Sequence, residues 1–281
     1  GTANSESCMA AGLYEVCQYT AMKQEAGGPC KRREVLERNM ESKMKCKMKE
    51  LCREIRMPEE VTERLCGDGA LQDCGLKNLR NHLEAALEAK EKYDALGIPE
   101  NIYLDTMAVF SRFVGEHHAS FGCYGFDREW WTHRQTGLKL FRIGELEYEM
   151  TEEDGEKVIS VHIPSDACLE PALCQESYGK AEMFFKKYFP EYADCDYICD
   201  SWMLSPYLKE LLDENSRILK FQQEYEIRDV DPESRAYMQW IFRKEDADLA
   251  EVPQETSLQR RAKRWLEAGG KIGSACGILK R

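Results

Sequence analysis

The stretch VISVHIPSDACLEPALCQESYGKAEMFFKKYF, residues 158–189, decides the fold prediction. Its β-branched start predicts a strand, and its amphipathic remainder predicts a long helix with Pro171 in the first turn. A helix N-terminus presents unpaired N–H groups and therefore attracts anions such as phosphates. The loop before this helix nevertheless carries Asp166 and Glu170 and no Lys or Arg. It has the architecture of a phosphate loop without the usual charge, and a plain capped helix start also fits.

The chain beyond residue 137 predicts a sheet whose strands alternate with helices. One strand is expected over residues 138–150, with a β-bulge at Gly144 because the apolar alternation changes phase there. The run EEDGEK predicts a turn after it. Further strands are expected over residues 158–164, 196–204, 218–227, 236–243 and 271–280. This alternation favours βαβ units and a mixed sheet, so the fold class is predicted as α+β or α/β.

The first part of the chain predicts helices. Leucines recur at helical spacing over residues 76–97, and Gly97 follows as the expected residue after the helix end. Apolar residues also recur every three to five positions over residues 34–55. We therefore predict two domains, a mainly helical one over residues 1–137 and a sheet domain, on which the helices pack, over residues 138–281.

Charge is uneven along the chain, whose net charge is −12. Residues 141–255 hold 28 Asp and Glu against 12 Lys and Arg. This excess disfavours nucleic-acid binding there, because phosphate contacts dominate such affinity. Residues 31–56 hold ten Lys and Arg against five Glu, so nucleic-acid binding by this stretch is kept as a minor alternative.

Thirteen cysteines are present without a C-x-x-C pair, so no zinc ribbon or finger is expected. The odd count, and a start without a charged and apolar leader, favour reduced thiols and a cytoplasmic location. No run approaches the roughly 18 apolar residues that span a bilayer, so no membrane segment is expected. A thiol–imidazole pair of Cys199 or Cys168 with His162 is a weaker hypothesis.

The run IPENIYLDTMAVFSRFVGEHHASFGCYGFDREWWTHRQTGLKLFRIGELEYE resembles the N-terminal domain of bacterial GNAT-like acyltransferases. The resemblance rests on Gly125 and the tryptophan pair in CYGFDREWW, on the Thr136–Gly137 turn, and on the run FRIGELEYE. The segments VHIPSD, CDSWMLSP, LKFQQEYEI and TSLQRRAKRWLEAGGKI resemble the C-terminal domain of the same family. The resemblance implies a GNAT-like sheet and transfer of an acyl group from acyl-CoA to an amine, with acyl-CoA as cosubstrate and no metal.

The resemblance also implies where the cosubstrate would lie. Residues 158–164 would form the splayed strand beside the pantetheine, and residues 165–171 would form the phosphate loop. The family's R/Q-x-x-G-x-G/A loop is missing, so basic residues from elsewhere, such as those of the stretch 257–270, would have to supply charge. The candidate cofactor-binding residues are Ile163, Ser165, Ala172, Leu173, Arg261 and Arg264.

Acyl transfer needs a base for the amine and a proton for the departing thiolate. His162, in the splayed strand, is the candidate base, with a buried structural histidine as the alternative. Glu147, which shares a strand face with Glu149, is a candidate to hold a cationic amine, with a solvated strand edge as the equal alternative. Tyr207 is the candidate acid by resemblance, with an ordinary residue of an amphipathic helix as the alternative. The candidate substrate-binding residues are Trp131, as one of two adjacent tryptophans that face different ways, and the residues where a strand ends, Asp200, Ser201 and Trp202.

A protein of this fold that binds a ligand or a protein partner without catalysis is the alternative function. The missing glycine loop motivates it, because a closed groove would admit no acyl-CoA. The acyl chain, the amine and the oligomeric state are left open by the sequence.

Overall fold

The structure, a computed structural model, describes residues 29–67, 69, 71 and 74–280, with the backbone alone for 29–36. The chain divides into two compact units, residues 1–47 and 48–281. The described part of the first unit is helical. The helical content expected before residue 29 lies outside the described residues.

Helices make up most of the described part of the chain before residue 137, as predicted. The helix over the leucine repeat ends at Gly97, whose φ of 70° is the left-handed conformation that such a position favours. Its buried face includes Leu76, Leu79 and Leu83. The described residues of this part form six helices: α1 (Pro29–Glu54), α2 (Glu59–Cys66), α3 (Leu76–Leu96), α4 (Glu100–Met107), α5 (Val109–Phe121) and α6 (Glu129–Thr136).

The expected strand over residues 138–150 is a hairpin instead, so the predicted bulge at Gly144 is wrong. The chain reverses between β1 (Leu140–Ile143) and β2 (Leu146–Glu153), and Ile143 pairs with Leu146. Gly144 has a φ of 66°, which suits a two-residue turn. A bulge and a tight turn both change the phase of alternation, and only the pairing distinguishes them.

Six strands of the described residues form one mixed sheet in the order β1-β2-β3-β4-β6-β5. The pair β3–β4 is parallel and every other pair is antiparallel. Helix α7 (Pro171–Tyr188) connects the two parallel strands, as the strand–loop–helix stretch predicts. The remaining strands are β3 (Glu156–His162), β4 (Tyr197–Ser201), β5 (Tyr225–Asp231) and β6 (Ser274–Leu279).

One predicted strand is helical over most of its length, and another is helical almost throughout. Residues 218–227 contain most of α9 (Arg217–Gln223) before β5 begins, and residues 236–243 contain α10 (Tyr237–Phe242). In α10 the buried residues are spaced as on one helix face, and they join a second hydrophobic cluster with Trp202. Aromatic and β-branched residues favour strands only weakly, so this packing decides the conformation. Two further helices are α8 (Leu208–Leu211) and α11 (Ser257–Glu267).

The two faces of the sheet differ in what covers them. Tyr148 of β2 and Tyr197 of β4 contact Phe185 of α7, with ring centroids 6.5 Å apart in both pairs. Because side chains alternate along a strand, Glu147 and Glu149 lie on the opposite face. The main hydrophobic core extends from α1 to β6, so the predicted fold class of helices on a mixed sheet is confirmed. The division at residues 137/138 stays a prediction.

Candidate active site

A pocket of about 510 Å³ opens where β3 and β4 part. The two strands pair only at Ile159 with Tyr197 and at Ser160 with Ile198, among the described residues. Their carboxyl ends then diverge, and His162 and Asp200 stand on either side of the gap. The pocket brings together eight predicted site residues, Trp131, Glu147, His162, Ile163, Ser165, Asp200, Ser201 and Trp202.

A buried ion pair joins helix α5 to strand β2 in one wall of this pocket. The Arg112 Nη2 donates to the Glu147 Oε1 at 2.7 Å, and their side chains are 10% and 3% exposed. Arg112 also lies 3.8 Å from Glu116, one helical turn further along α5. Glu116 in turn accepts hydrogen bonds from Arg128 and from the Ser165 hydroxyl. This network holds the loop after β3 against the helical region.

His162 stands beside Glu147 in the β2–β3 register and makes its own contact with Glu149. The His162 Nε2 lies 2.9 Å from the Glu149 Oε2, and the Arg134 Nε donates to the Glu149 Oε1 at 2.9 Å. Burial raises the pKa of Glu149, but the contacts with His162 and Arg134 outweigh it and hold the pKa below its ordinary value. The Trp131 ring meets the imidazole edge-on, with centroids 4.9 Å apart. The histidine is therefore oriented by an ionised carboxylate within the pocket.

The acidic residues of the loop after β3 are neutralised by arginines. The Arg142 Nη1 donates to the Asp166 Oδ1 at 2.9 Å, and Arg112 lies 3.7 Å from the same oxygen. Burial alone would raise the pKa of Asp166. The two arginines lower it by more, so this pKa lies below its ordinary value. Glu170 pairs with the Arg217 Nε at 3.1 Å. Neither carboxylate is a free negative charge at the loop.

The facing wall of the pocket comes from β4 and the turn after it. Trp202 is buried, whereas Asp200 is exposed and has no side-chain hydrogen bond or ion pair among the described residues. Its partial desolvation, followed by the nearby Asp231 charge, raises the pKa of Asp200. Cys199 is buried, and burial raises the pKa of its thiol. This environment opposes a thiolate, which weighs against a Cys199–His162 nucleophile pair.

Five predicted site residues lie outside the lining of this pocket. Tyr207 precedes α8, and its backbone N–H donates to the Ser205 hydroxyl. Arg261 pairs with Asp213 at 3.0 Å, and the Arg264 Nε donates to the backbone of its own helix. Ala172 and Leu173, both exposed, occupy the first turn of α7. These residues stay predictions.

The lining residues that were not predicted from the sequence include Arg112, Glu116, Arg128 and Trp240. Arg128 lies over the Phe113 ring at 4.7 Å and over Trp240 at 5.5 Å, so it connects two pocket walls. The spacing of Arg112 and Glu116 on one face of α5 was available in the sequence. A role in the pocket could not be inferred from this spacing, because i,i+4 pairs of opposite charge are common on solvated helices.

The described residues hold no group of three or more His, Cys, Asp or Glu side chains suited to a metal ion. Within the same part of the chain, every helix is too short or too polar to cross a membrane.

Comparison with sequence families gives two matches that divide the chain between them. The N-acyltransferase N-terminal domain matches residues 12–138, and the GNAT-like C-terminal domain matches residues 140–279. No curated protein matches the chain.

Comparison with solved structures shows a shared fold. An acyltransferase in complex with decanoyl-CoA and teicoplanin has a TM-score of 0.74 and 23% identity, covering 82% of this chain and 86% of that one. An octanoyl-CoA complex of an acyltransferase mutant has a TM-score of 0.75 and 22% identity, with coverages of 83% and 87%. Two adjoining family matches and this fold agree, and the chain belongs to the family of GNAT-like acyltransferases with a helical N-acyltransferase N-terminal domain.

Proposed function

We propose that this protein transfers an acyl group from acyl-CoA to an amine. The observation that carries the proposal is an imidazole, His162, held by Glu149 in a pocket that opens where two parallel strands part. Parted strands leave room for an extended ligand along an edge of the sheet. Family membership supports acyl transfer as the class of reaction.

His162 serves as the general base in this proposal. When the neutral ring donates from Nε2 to the ionised Glu149, its Nδ1 keeps the lone pair that can accept a proton. The amine must be neutral to attack, so an acceptor that arrives as an ammonium ion first releases one proton to solvent. Its nitrogen then attacks the thioester carbonyl and gives a second proton to the His162 Nδ1. As the C–N bond forms, the C–S bond breaks, and the imidazolium can return the proton to the departing thiolate. The products are an amide and free CoA.

Two further predicted residues have more limited parts. Glu147 is neutralised by Arg112. The pair therefore fits a role in setting the electrostatic potential that an approaching ammonium group experiences. Tyr207 stays the predicted acid, although the return of the proton by His162 does not require it.

The donor side of the pocket is assigned to the end of β3 and the loop after it. Ile163 and Ser165 line the pocket there, consistent with a pantetheine arm beside this strand. The acyltransferases of similar fold were solved with decanoyl-CoA, octanoyl-CoA or CoA. An acyl-CoA is accordingly the proposed donor.

The acceptor would enter from the wall opposite the donor. Asp200 and Ser201 offer polar groups there and Trp202 offers an apolar surface, whereas Trp131 offers one beside His162. An unpaired carboxylate such as Asp200 suits an amine that arrives as a cation. One acyltransferase of similar fold was solved with teicoplanin, and the acceptor of the present protein is proposed only as an amine.

Calorimetric titration with CoA, acetyl-CoA and decanoyl-CoA is the first test, followed by thiol release in the presence of a panel of amines. We expect His162→Ala to lower turnover by roughly 100-fold or more while leaving the affinity for acyl-CoA near that of the wild type. His133→Ala is the matched control, because His133 is exposed on α6 and lies outside the pocket lining. Equal turnover of the His162 variant and the wild type would overturn the assignment of the base.

A binding module without catalysis is the second candidate, favoured by one observation. The loop that would meet the phosphates is acidic and is already engaged in internal contacts. No heat of binding at millimolar CoA, with the protein folded, would favour this candidate over the enzyme.

A further inference from the structure

Two backbone amides of the loop after β3 already hold an anion that belongs to the chain itself. The N–H groups of Cys168 and Leu169 both donate to one oxygen, Oε1 of Glu145, the latter at 3.3 Å. Successive N–H groups that converge on one oxygen form the kind of concavity in which proteins bind phosphates. Glu145 reaches it from the β1–β2 turn, next to Gly144 and its positive φ.

Glu145 differs from the other carboxylates around this loop. Asp166 is paired with Arg142, and Glu170 is paired with Arg217. Glu145 has no Lys or Arg partner within ion-pair distance among the described residues, and the two amides are its hydrogen-bond donors. Its negative charge is therefore compensated by peptide dipoles alone, in the position that a phosphate oxygen would take.

We propose that Glu145 is a specificity-determining residue that keeps the CoA diphosphate off these amides. The proposal rests on the proposed function, in which this loop faces the donor. A diphosphate can use the two N–H groups only after the Glu145 carboxylate leaves, and a carboxylate left nearby repels it. The protein consequently recognises its donor through the pantetheine arm, with little contribution from the diphosphate.

The geometry also explains why an acidic loop is compatible with a donor site. The carboxylates of Asp166 and Glu170 face arginines. Glu145 accepts hydrogen bonds from the Cys168 and Leu169 amides without an arginine partner among the described residues, so it is expected to discriminate between a charged and an uncharged donor tail.

The test compares CoA with pantetheine, which lacks the nucleotide and both phosphates, by calorimetric titration. We expect Glu145→Ala to tighten CoA binding by about tenfold, since it frees the amides and removes a repulsive charge. Pantetheine affinity should stay within about twofold. Glu145→Gln keeps a neutral acceptor for the amides, so it should shift CoA affinity in the same direction by less. Glu176→Ala is the matched control, because this exposed residue of α7 carries the same charge and pairs with Lys180.

The outcomes separate this inference from the proposed function. A wild type that binds pantetheine or CoA, with a Glu145→Ala variant whose ratio of the two affinities is unchanged, would overturn the inference alone. A lack of binding of either ligand to the folded wild type and variants would overturn both. Thermal unfolding checks that each variant is folded, and Glu145→Gln, which preserves both hydrogen bonds, carries the test if the alanine variant is unstable.

Discussion

The two walls of the pocket differ in how their charges are compensated. On the α5–β2–β3 wall, Arg112, Glu147 and Glu149 are all in ion pairs, and Glu149 fixes the ring of His162. On the β4 wall, Asp200 has no such partner among the described residues and its pKa is raised. The difference indicates that the α5–β2–β3 wall is organised before any ligand arrives, whereas the β4 wall has an unpaired carboxylate that can interact with a ligand.

Mutations on the two walls are therefore expected to have different effects. A change on the paired wall should affect folding or turnover, because each group there supports another. A change on the β4 wall should leave the fold intact, because Asp200 supports no other group by a hydrogen bond or ion pair among the described residues.

The largest effect is expected for Arg112→Met, which would leave Glu147 as a buried carboxylate without its closest partner. Breaking a buried pair from one side typically costs about 3–5 kcal/mol in the free energy of unfolding, measured by denaturant titration. Arg64→Met, in a partly exposed 3.8 Å pair with Glu60, is the control and should cost at most about 1 kcal/mol. If Arg112→Met cost as little free energy of unfolding as the control, the ion pairs of the α5–β2–β3 wall would not stabilise it, and the contrast between the two walls would be wrong.

A smaller effect, on turnover, is expected for Glu149→Gln. The amide can still accept a hydrogen bond from His162, but it no longer carries the charge that stabilises the imidazolium form. We expect kcat to fall roughly tenfold with the KM for acyl-CoA little changed. Glu152→Gln, at an exposed position of the same strand, is the control. Unchanged kcat in the Glu149 variant would mean that the pair is structural.

The smallest effect is expected for Asp200→Asn, and its sign is opposite. The pKa of Asp200 is raised in the folded state, so this group destabilises the fold as pH rises through that pKa. Removing the charge should therefore stabilise the protein at neutral pH, by less than about 1 kcal/mol after solvent screening. The gain should disappear when the pH falls below the ordinary value near 3.8. A loss of stability at pH 7 would place Asp200 with the paired wall.

Two turns illustrate how far local sequence predicts the fold. The turn between β2 and β3 was predicted, and Asp154 and Gly155 both have positive φ there, as an Asp-Gly hairpin requires. The sequence predicts a bulge at Gly144 and not the observed turn, because a glycine with a change of phase fits either. It also predicts a strand over residues 236–243, where the structure has the helix Tyr237–Phe242, packed in the cluster that contains Trp202.

The candidate site shows the same limit. His162 is a candidate because it lies within the splayed strand that the resemblance implies, and Asp200 because it stands where a predicted strand ends, a common place for α/β sites. Arg112 is not a candidate from the sequence, because its partner Glu147 is 35 positions away and nothing local links the two. Glu145 and the amides of Cys168 and Leu169 are similarly distant in sequence.

The amino-acid sequence alone determined the helices described before residue 137, the strand–loop–helix stretch at residues 158–189 and the family, because periodicity, glycines and motifs are local properties of a chain. Tertiary structure alone decided which charges meet. It paired Asp166 and Glu170 with arginines and brought Glu145 onto the loop amides. The physical reason is that the interaction energy of a charge depends on the groups within a few ångströms of it, and packing across distant segments selects those groups.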